Sequence, residues 1–173
     1  MLHLPSLLRH RHLNEMIVEG TITEANDFPP HLTYLWLENS VANGVDPFIP
    51  LQKLRFLKKL CLRLFKAQSD AQIQITCSMG GFPKLEYLYI RVDFELRNWI
   101  VEEGALASLQ VLHIDGDATL GELPHGLRYI KTLKELVITR GYDVRDNLMY
   151  GRNEWVADLG LSIKYLDESS MRP

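Results

Sequence analysis

An α/β solenoid, with a parallel β-sheet on its concave face and short helices and loops on its convex face, is predicted by three observations. The first is a pattern, Leu-x-x-Leu-x-aliphatic, which occurs as Leu32/Leu35/Leu37, Leu57/Leu60/Leu62, Leu85/Leu88/Ile90, Leu109/Leu112/Ile114 and Leu133/Leu136/Ile138. The second is its spacing. The first leucines stand 25, 28, 24 and 24 residues apart, within the roughly 20 to 29 residues of a leucine-rich repeat. The third is an added apolar position three residues before the first leucine, filled by Leu54, Phe82, Leu106 and Ile130. One such coil cannot bury its own apolar face, so coils must stack and share an interior.

Within each copy the last residues read as a strand, because side chains alternate. Leu112 and Ile114 point inward while Val111 and His113 point to the other face. A weaker copy, Leu13/Met16/Val18, lies 19 residues before Leu32. Six strands about 4.8 Å apart would make a ribbon of backbone roughly 25 Å across.

Taken in order, residues 1–12 hold Leu2, Leu4, Leu7 and Leu8 and the basic cluster Arg9 to His12, and read as a partial N-terminal coil. Residues 13–140 form the repeat domain of about six coils. Turn residues from Asn26 lead to Phe28-Pro29-Pro30, whose prolines favour an extended approach to the Leu32 strand. Val41 to Pro50 reads as loop, and Leu51 to Leu57 has helix-like spacing for one or two turns on the convex side. The longest interval, 65 to 84, places Cys77 in a connection and ends in Met79-Gly80-Gly81-Phe82-Pro83. The two glycines permit a tight return into the next coil; no Lys-Ser/Thr step follows them, as a phosphate-binding loop would require. Leu96 to Val101 and Gly104-Ala105-Leu106 carry the chain to Leu109. Leu120, Leu123, Leu127 and Ile130 carry it to Leu133, with Leu123 buried. After Ile138 the repeat stops, and residues 141–173 read as a C-terminal cap followed by a disordered tail from Asp167 to Pro173.

The position three after the last aliphatic, often Asn or Cys in such repeats, is Ser40, Phe65, Asp93, Asp117 and Gly141. A continuous asparagine ladder is therefore absent, and uneven curvature is expected.

Composition narrows the function. The 173 residues carry a net charge of −3 and are 46% hydrophobic, which gives a globular domain no overall attraction to nucleic acid or anionic membrane. Two cysteines, Cys61 and Cys77, form neither a disulfide framework nor a four-ligand zinc site. No apolar run approaches a membrane span, the opening residues lack the order of a secretory signal, and no Asn-x-Ser/Thr sequon occurs. A reducing, cytoplasmic compartment is expected.

The chain resembles the C-terminal leucine-rich-repeat part of plant intracellular immune receptors of the coiled-coil, nucleotide-binding class. The resemblance covers about residues 13 to 140 and rests on four stretches. They are Phe28-Pro29-Pro30-His31-Leu32-Thr33-Tyr34-Leu35, Asp46-Pro47 followed by Leu51-Gln52-Lys53-Leu54, Gly80-Gly81-Phe82-Pro83-Lys84-Leu85, and Trp99-Ile100-Val101-Glu102-Glu103-Gly104-Ala105. It implies a module that senses pathogen molecules and restrains a nucleotide-driven switch. The nucleotide-binding and coiled-coil parts of that family are not in these residues, so a fragment, truncated product or decoy is implied.

Register sets the concave side chains in rows. Two past each first leucine stand Tyr34, Lys59, Tyr87, Val111 and Glu135; four past, Trp36, Cys61, Tyr89, His113 and Val137; six past, Glu38, Arg63, Arg91, Asp115 and Thr139. Glu38 pairs with Arg63 and Arg91 with Asp115 on neighbouring strands, which relieves repulsion across the sheet. Tyr34, Trp36, Tyr87 and Tyr89 supply the aromatic content of a binding hot spot. The candidate partner-binding residues are Tyr34, Trp36, Lys59, Arg63, Tyr87, Tyr89, Arg91, His113, Asp115 and Glu135. The expected partner is a protein: a pathogen effector, a guarded host protein or the receptor's own nucleotide-binding domain.

Catalysis finds no support in the sequence. His113 and Asp115 could be a base and its orienting carboxylate, yet no nucleophile motif accompanies them, and Cys61 is two strands from His113. His3, His10 and His12 lack a second ligand group for a metal, and no cofactor is expected. A substrate-recognition adaptor of a ubiquitin ligase, or a remnant without a partner, is the alternative.

Overall fold

The computed structural model describes residues 12–19, 28–42, 46–66, 74–92, 96, 98–116, 122–140, 142–149 and 153–166. Seven strands form one parallel sheet: β1 (Glu15–Glu19), β2 (Tyr34–Ala42), β3 (Lys59–Lys66), β5 (Tyr87–Val92), β7 (Val111–Asp115), β8 (Glu135–Thr139) and β9 (Ser162–Leu166), in that spatial order. Two others, β4 (Gln74–Cys77) and β6 (Asn98–Val101), pair in parallel as a separate sheet. Register follows the repeat: Leu35, Leu60, Leu88, Leu112 and Leu136 stand side by side across five strands. The weak first copy also forms a strand, with Met16 beside Leu35 and Val18 beside Leu37.

The core is the interior of the coil stack. All three aliphatic positions of the five strong copies are buried, as are Leu54, Phe82, Leu106 and Ile130. The latter group also sets a turn in each coil. The carbonyls of Leu54, Phe82, Leu106 and Ile130 accept the N–H of Leu57, Leu85, Leu109 and Leu133 at 2.9 to 3.2 Å. Coils are then joined by shared carbonyls. That of Asn14 accepts the N–H groups of Thr33 and Tyr34, Thr33 those of Lys58 and Lys59, and Lys58 those of Glu86 and Tyr87. Glu86 does the same for Gln110 and Val111, and Gln110 for Lys134 and Glu135, all at 2.8 to 3.1 Å. Main-chain atoms thus supply a stitch between coils of the kind that asparagine side chains provide in regular repeats.

Several connections differ from the sequence expectation. Val41 and Ala42 extend β2 past a register shift after Leu37. The convex helix is one turn earlier than its spacing suggested, α1 (Phe48–Leu51). It starts where Asp46 Oδ1 accepts the Phe48 N–H at 2.8 Å, and Pro50 is tolerated because the first turn needs no N–H donor. Cys77 ends strand β4 rather than lying in an irregular connection, and Asn98 to Val101 form β6. Gly80 has φ +71, as a tight return requires, and a Cβ on Gly81 would stand 2.3 Å from Gln52 Oε1.

A short 3₁₀ helix, His125–Tyr129, leads to β8, with Leu127 buried within it and Leu123 buried just before it. Beyond β8, α2 (Tyr142–Met149) and α3 (Trp155–Asp158) precede β9. The repeat pattern predicts no strand there, because Gly160 occupies the place of the first leucine, and Ile163 and Tyr165 fill the other two. Residues 1–11, 167–173 and the ladder positions Asp93, Asp117 and Gly141 lie outside the described residues, as do the side chains of Ser40 and Phe65.

Candidate recognition surface

The outward-facing residues of β2, β3, β5 and β7 enclose an open groove of about 520 Å³ on the concave face. Alternation in β5 puts Tyr87, Tyr89 and Arg91 on this side while Leu88, Ile90 and Val92 enter the core. Of the ten candidate residues, the fold gathers seven here: Trp36, Arg63, Tyr87, Tyr89, Arg91, His113 and Asp115. Tyr34 and Lys59 line a second hollow of about 560 Å³ at the beginning of the strands, together with Tyr87. Glu135 lines neither and accepts a 2.6 Å bond from Lys164 of β9.

The groove has a polar floor. His113 is 6% exposed and Asp115 3%, so both lie beneath the tyrosines and support the surface instead of forming it. His113 Nδ1 is 3.2 Å from the Tyr87 hydroxyl, and its Nε2 is 2.9 Å from Thr139 Oγ1. The Tyr89 ring meets the His113 ring edge to face at 4.8 Å. The Tyr89 hydroxyl donates to Asp115 Oδ2 at 2.5 Å, and Arg140 donates to Asp115 Oδ1 through Nε at 3.0 Å and Nη2 at 2.8 Å.

Asp115, expected opposite Arg91, is therefore also gripped from the far side by Arg140. Asp115 is buried and does not lie on an open sheet, so removing one of its partners is more damaging than at an exposed pair. Sequence reasoning missed Arg140 because it stands one residue beyond the last counted row. Its φ of +56 turns the chain at the end of β8. The other charge pair forms as expected, with Arg63 donating to Glu38, which also accepts the Trp36 Nε1 proton at 2.7 Å. Trp36 remains 36% exposed.

Burial governs the protonation of the groove. It pushes the Cys61 thiol up to about 11 and the Tyr87 hydroxyl up to about 12. Tyr89 is raised by burial and by its bond to the Asp115 carboxylate. A thiol so protonated is a poor nucleophile. His113 is lowered by desolvation, against the opposing pull of Asp115 and Glu135. The unfolded chain thus takes up a proton near pH 6.5 that the folded chain refuses. Stability is full above that value and falls as the pH drops below it. His113→Gln should flatten the urea midpoint between about pH 7 and pH 5.5; an unchanged slope would assign the acid sensitivity elsewhere.

The chain is 42% identical to Disease resistance protein RPP8 of Arabidopsis thaliana over 119 residues, 68% of its length. It is 37% identical to Disease resistance RPP8-like protein 3 over 137 residues, 79% of its length, and 40% identical to Disease resistance protein RPH8A over 130 residues, 73% of its length, both from the same plant. The chain is homologous to the leucine-rich-repeat region of RPP8-type plant disease resistance proteins. This RPP8-type repeat segment spans 12 to 14% of the length of those three relatives. No family model matches it. Among its described residues no helix is long and apolar enough to cross a membrane, and no group of three or more metal-ligating side chains assembles.

Proposed function

We propose that this RPP8-type repeat segment is a non-enzymatic recognition module of plant defence, acting in the cytoplasm through the concave groove. The observation that carries the reading is the groove itself. Trp36 lies partly open beside Tyr87, Tyr89 and three arginines, on a floor that fixes the aromatic rings by hydrogen bonds to His113 and Asp115. Rigid aromatic side chains lose little entropy on binding, and Trp, Tyr and Arg dominate interface hot spots. A preset floor lowers the ordering cost further. Its partners are a pathogen effector or guarded host protein, and the receptor's own nucleotide-binding domain, whose contact would hold the switch at rest.

The test uses calorimetry with the nucleotide-binding portion of an Arabidopsis RPP8-type protein supplied as a separate chain. Trp36→Ala is the cleaner probe, since Tyr89→Ala also strips a partner from buried Asp115. Trp36→Ala is expected to weaken binding by at least about tenfold, in the range of hot-spot truncations, with an unchanged circular dichroism spectrum. Wild-type affinity in both variants would reject the concave face as the contact. An absence of any binding by that domain would reject the resting contact and leave the effector as the partner.

A further inference from the structure

The sheet has a second surface along the rim where its strands begin, at the edge of the hollow that Tyr34 and Lys59 line. The turns closed by Leu54, Phe82, Leu106 and Ile130, and the shared-carbonyl stitches beside them, hold equivalent residues of successive coils in line. Three positions per coil face outward there: two before, one before and one after the first leucine. Over five coils they read Pro30, His31, Thr33; Arg55, Phe56, Lys58; Pro83, Lys84, Glu86; Ala107, Ser108, Gln110; Lys131, Thr132, Lys134.

Five of the fifteen are cations and one is an anion, in a chain whose net charge is −3. Arg55, Lys58, Lys84, Lys131 and Lys134 are all exposed. The single ion pair recorded along this row among the described residues, Lys58 with Glu86, is loose at 3.8 Å, with both side chains about half exposed. Glu38 and Asp115 sit at the opposite ends of the strands. There the charges are mixed and paired, Glu38 with Arg63 and Asp115 with Arg140, whereas cations predominate along the rim.

An apolar side chain stands within the row. Phe56 is 46% exposed, with Lys84 Nζ 4.6 Å above its ring and the His31 ring 6.0 Å away. The ring is framed by polar heads and remains open between them.

We propose that this rim docks an extended acidic segment of a partner protein, one that places an apolar side chain on Phe56 between flanking carboxylates. Four coil spacings of about 4.8 Å give a row of roughly 19 Å, which about six extended residues span. A row this short, interrupted by the neutral coil of Ser108 and Gln110, suits a peptide. A long nucleic acid or a membrane surface would also meet the negative net charge of the chain.

The probe is a fluorescein-labelled hexapeptide, Glu-Asp-Leu-Glu-Asp-Glu, titrated into the full chain and followed by anisotropy, with a peptide carrying Gln and Asn in place of the acids as control. The acidic peptide is expected to bind and to lose at least about tenfold in affinity between 50 and 300 mM salt, as screening demands. The double variant Lys84→Glu/Lys131→Glu, at two exposed positions, should lose a similar factor. Phe56→Ala should weaken binding, and Trp36→Ala should leave it unchanged, which separates this rim from the concave groove. The proposal is overturned if the neutral peptide binds equally well or if the double variant keeps wild-type affinity. It is likewise overturned if phosphatidylserine vesicles bind through these lysines while the acidic peptide does not.

Discussion

Gly126→Ala is expected to destabilise the fold by about 3 kcal/mol, and Gly126→Val by at least as much, at the upper end of overpacking effects. Gly126 lies in the 3₁₀ helix before β8 and backs directly onto strand β6. A Cβ at this position would stand 1.6 Å from the Val101 carbonyl oxygen and 2.5 Å from its carbon. Both atoms are backbone, so no rotamer change relieves the clash and the two coils must part. Gly160→Ala supplies the control. Its φ is +62 and nothing lies within 4 Å of the added methyl, so only the left-handed penalty of about 1 kcal/mol applies. Urea unfolding of the two alanine variants decides the matter: equal losses would mean that the close approach at Gly126 does not hold the coils.

Leu112→Ala should cost on the order of 2 to 5 kcal/mol. Leu112 is fully buried in β7 and stands between Leu88 of β5 and Leu136 of β8. Truncation opens a void facing two coil interfaces at once, and neither neighbouring strand can close it without breaking the stitches to its own neighbour. Guanidinium unfolding checks the value, and a loss under about 1 kcal/mol would show that the interior collapses around the gap. Trp36→Ala, by contrast, removes a side chain from the surface and should leave the unfolding midpoint nearly unchanged.

The contrast between these sites explains what the sequence made legible. Strands β2, β3, β5, β7 and β8 were readable because identical chemistry recurs wherever a coil must feed the same interior. The rows of the groove followed from register alone, which is why seven of the ten candidates meet there. The second sheet was not readable. Gln74 to Cys77 and Asn98 to Val101 form strands in only two coils, so no period announces them. β9 was missed because glycine stands where the leucine should be.

The floor was misjudged for a different reason. Counting rows brings Asp115 next to Arg91, yet it cannot see Arg140 reaching back from a turn, nor that the tyrosines would cover His113. Those are consequences of side-chain length and burial, which periodicity does not encode. The parting line is physical: repeated burial leaves a repeated signature, whereas a contact made once leaves none.

One property of the stitch between coils bears on how such a protein changes over generations. Thr33, Lys58, Glu86, Gln110 and Lys134 hold the stack through their carbonyls, and the main chain offers the same carbonyl whatever side chain it bears. An asparagine ladder would tie those positions to one residue type. Here four different residue types occupy five equivalent positions, and the rim can be respelled codon by codon without loosening the coils. The identity of the rim is thereby decoupled from the main-chain bonds that hold the coils together.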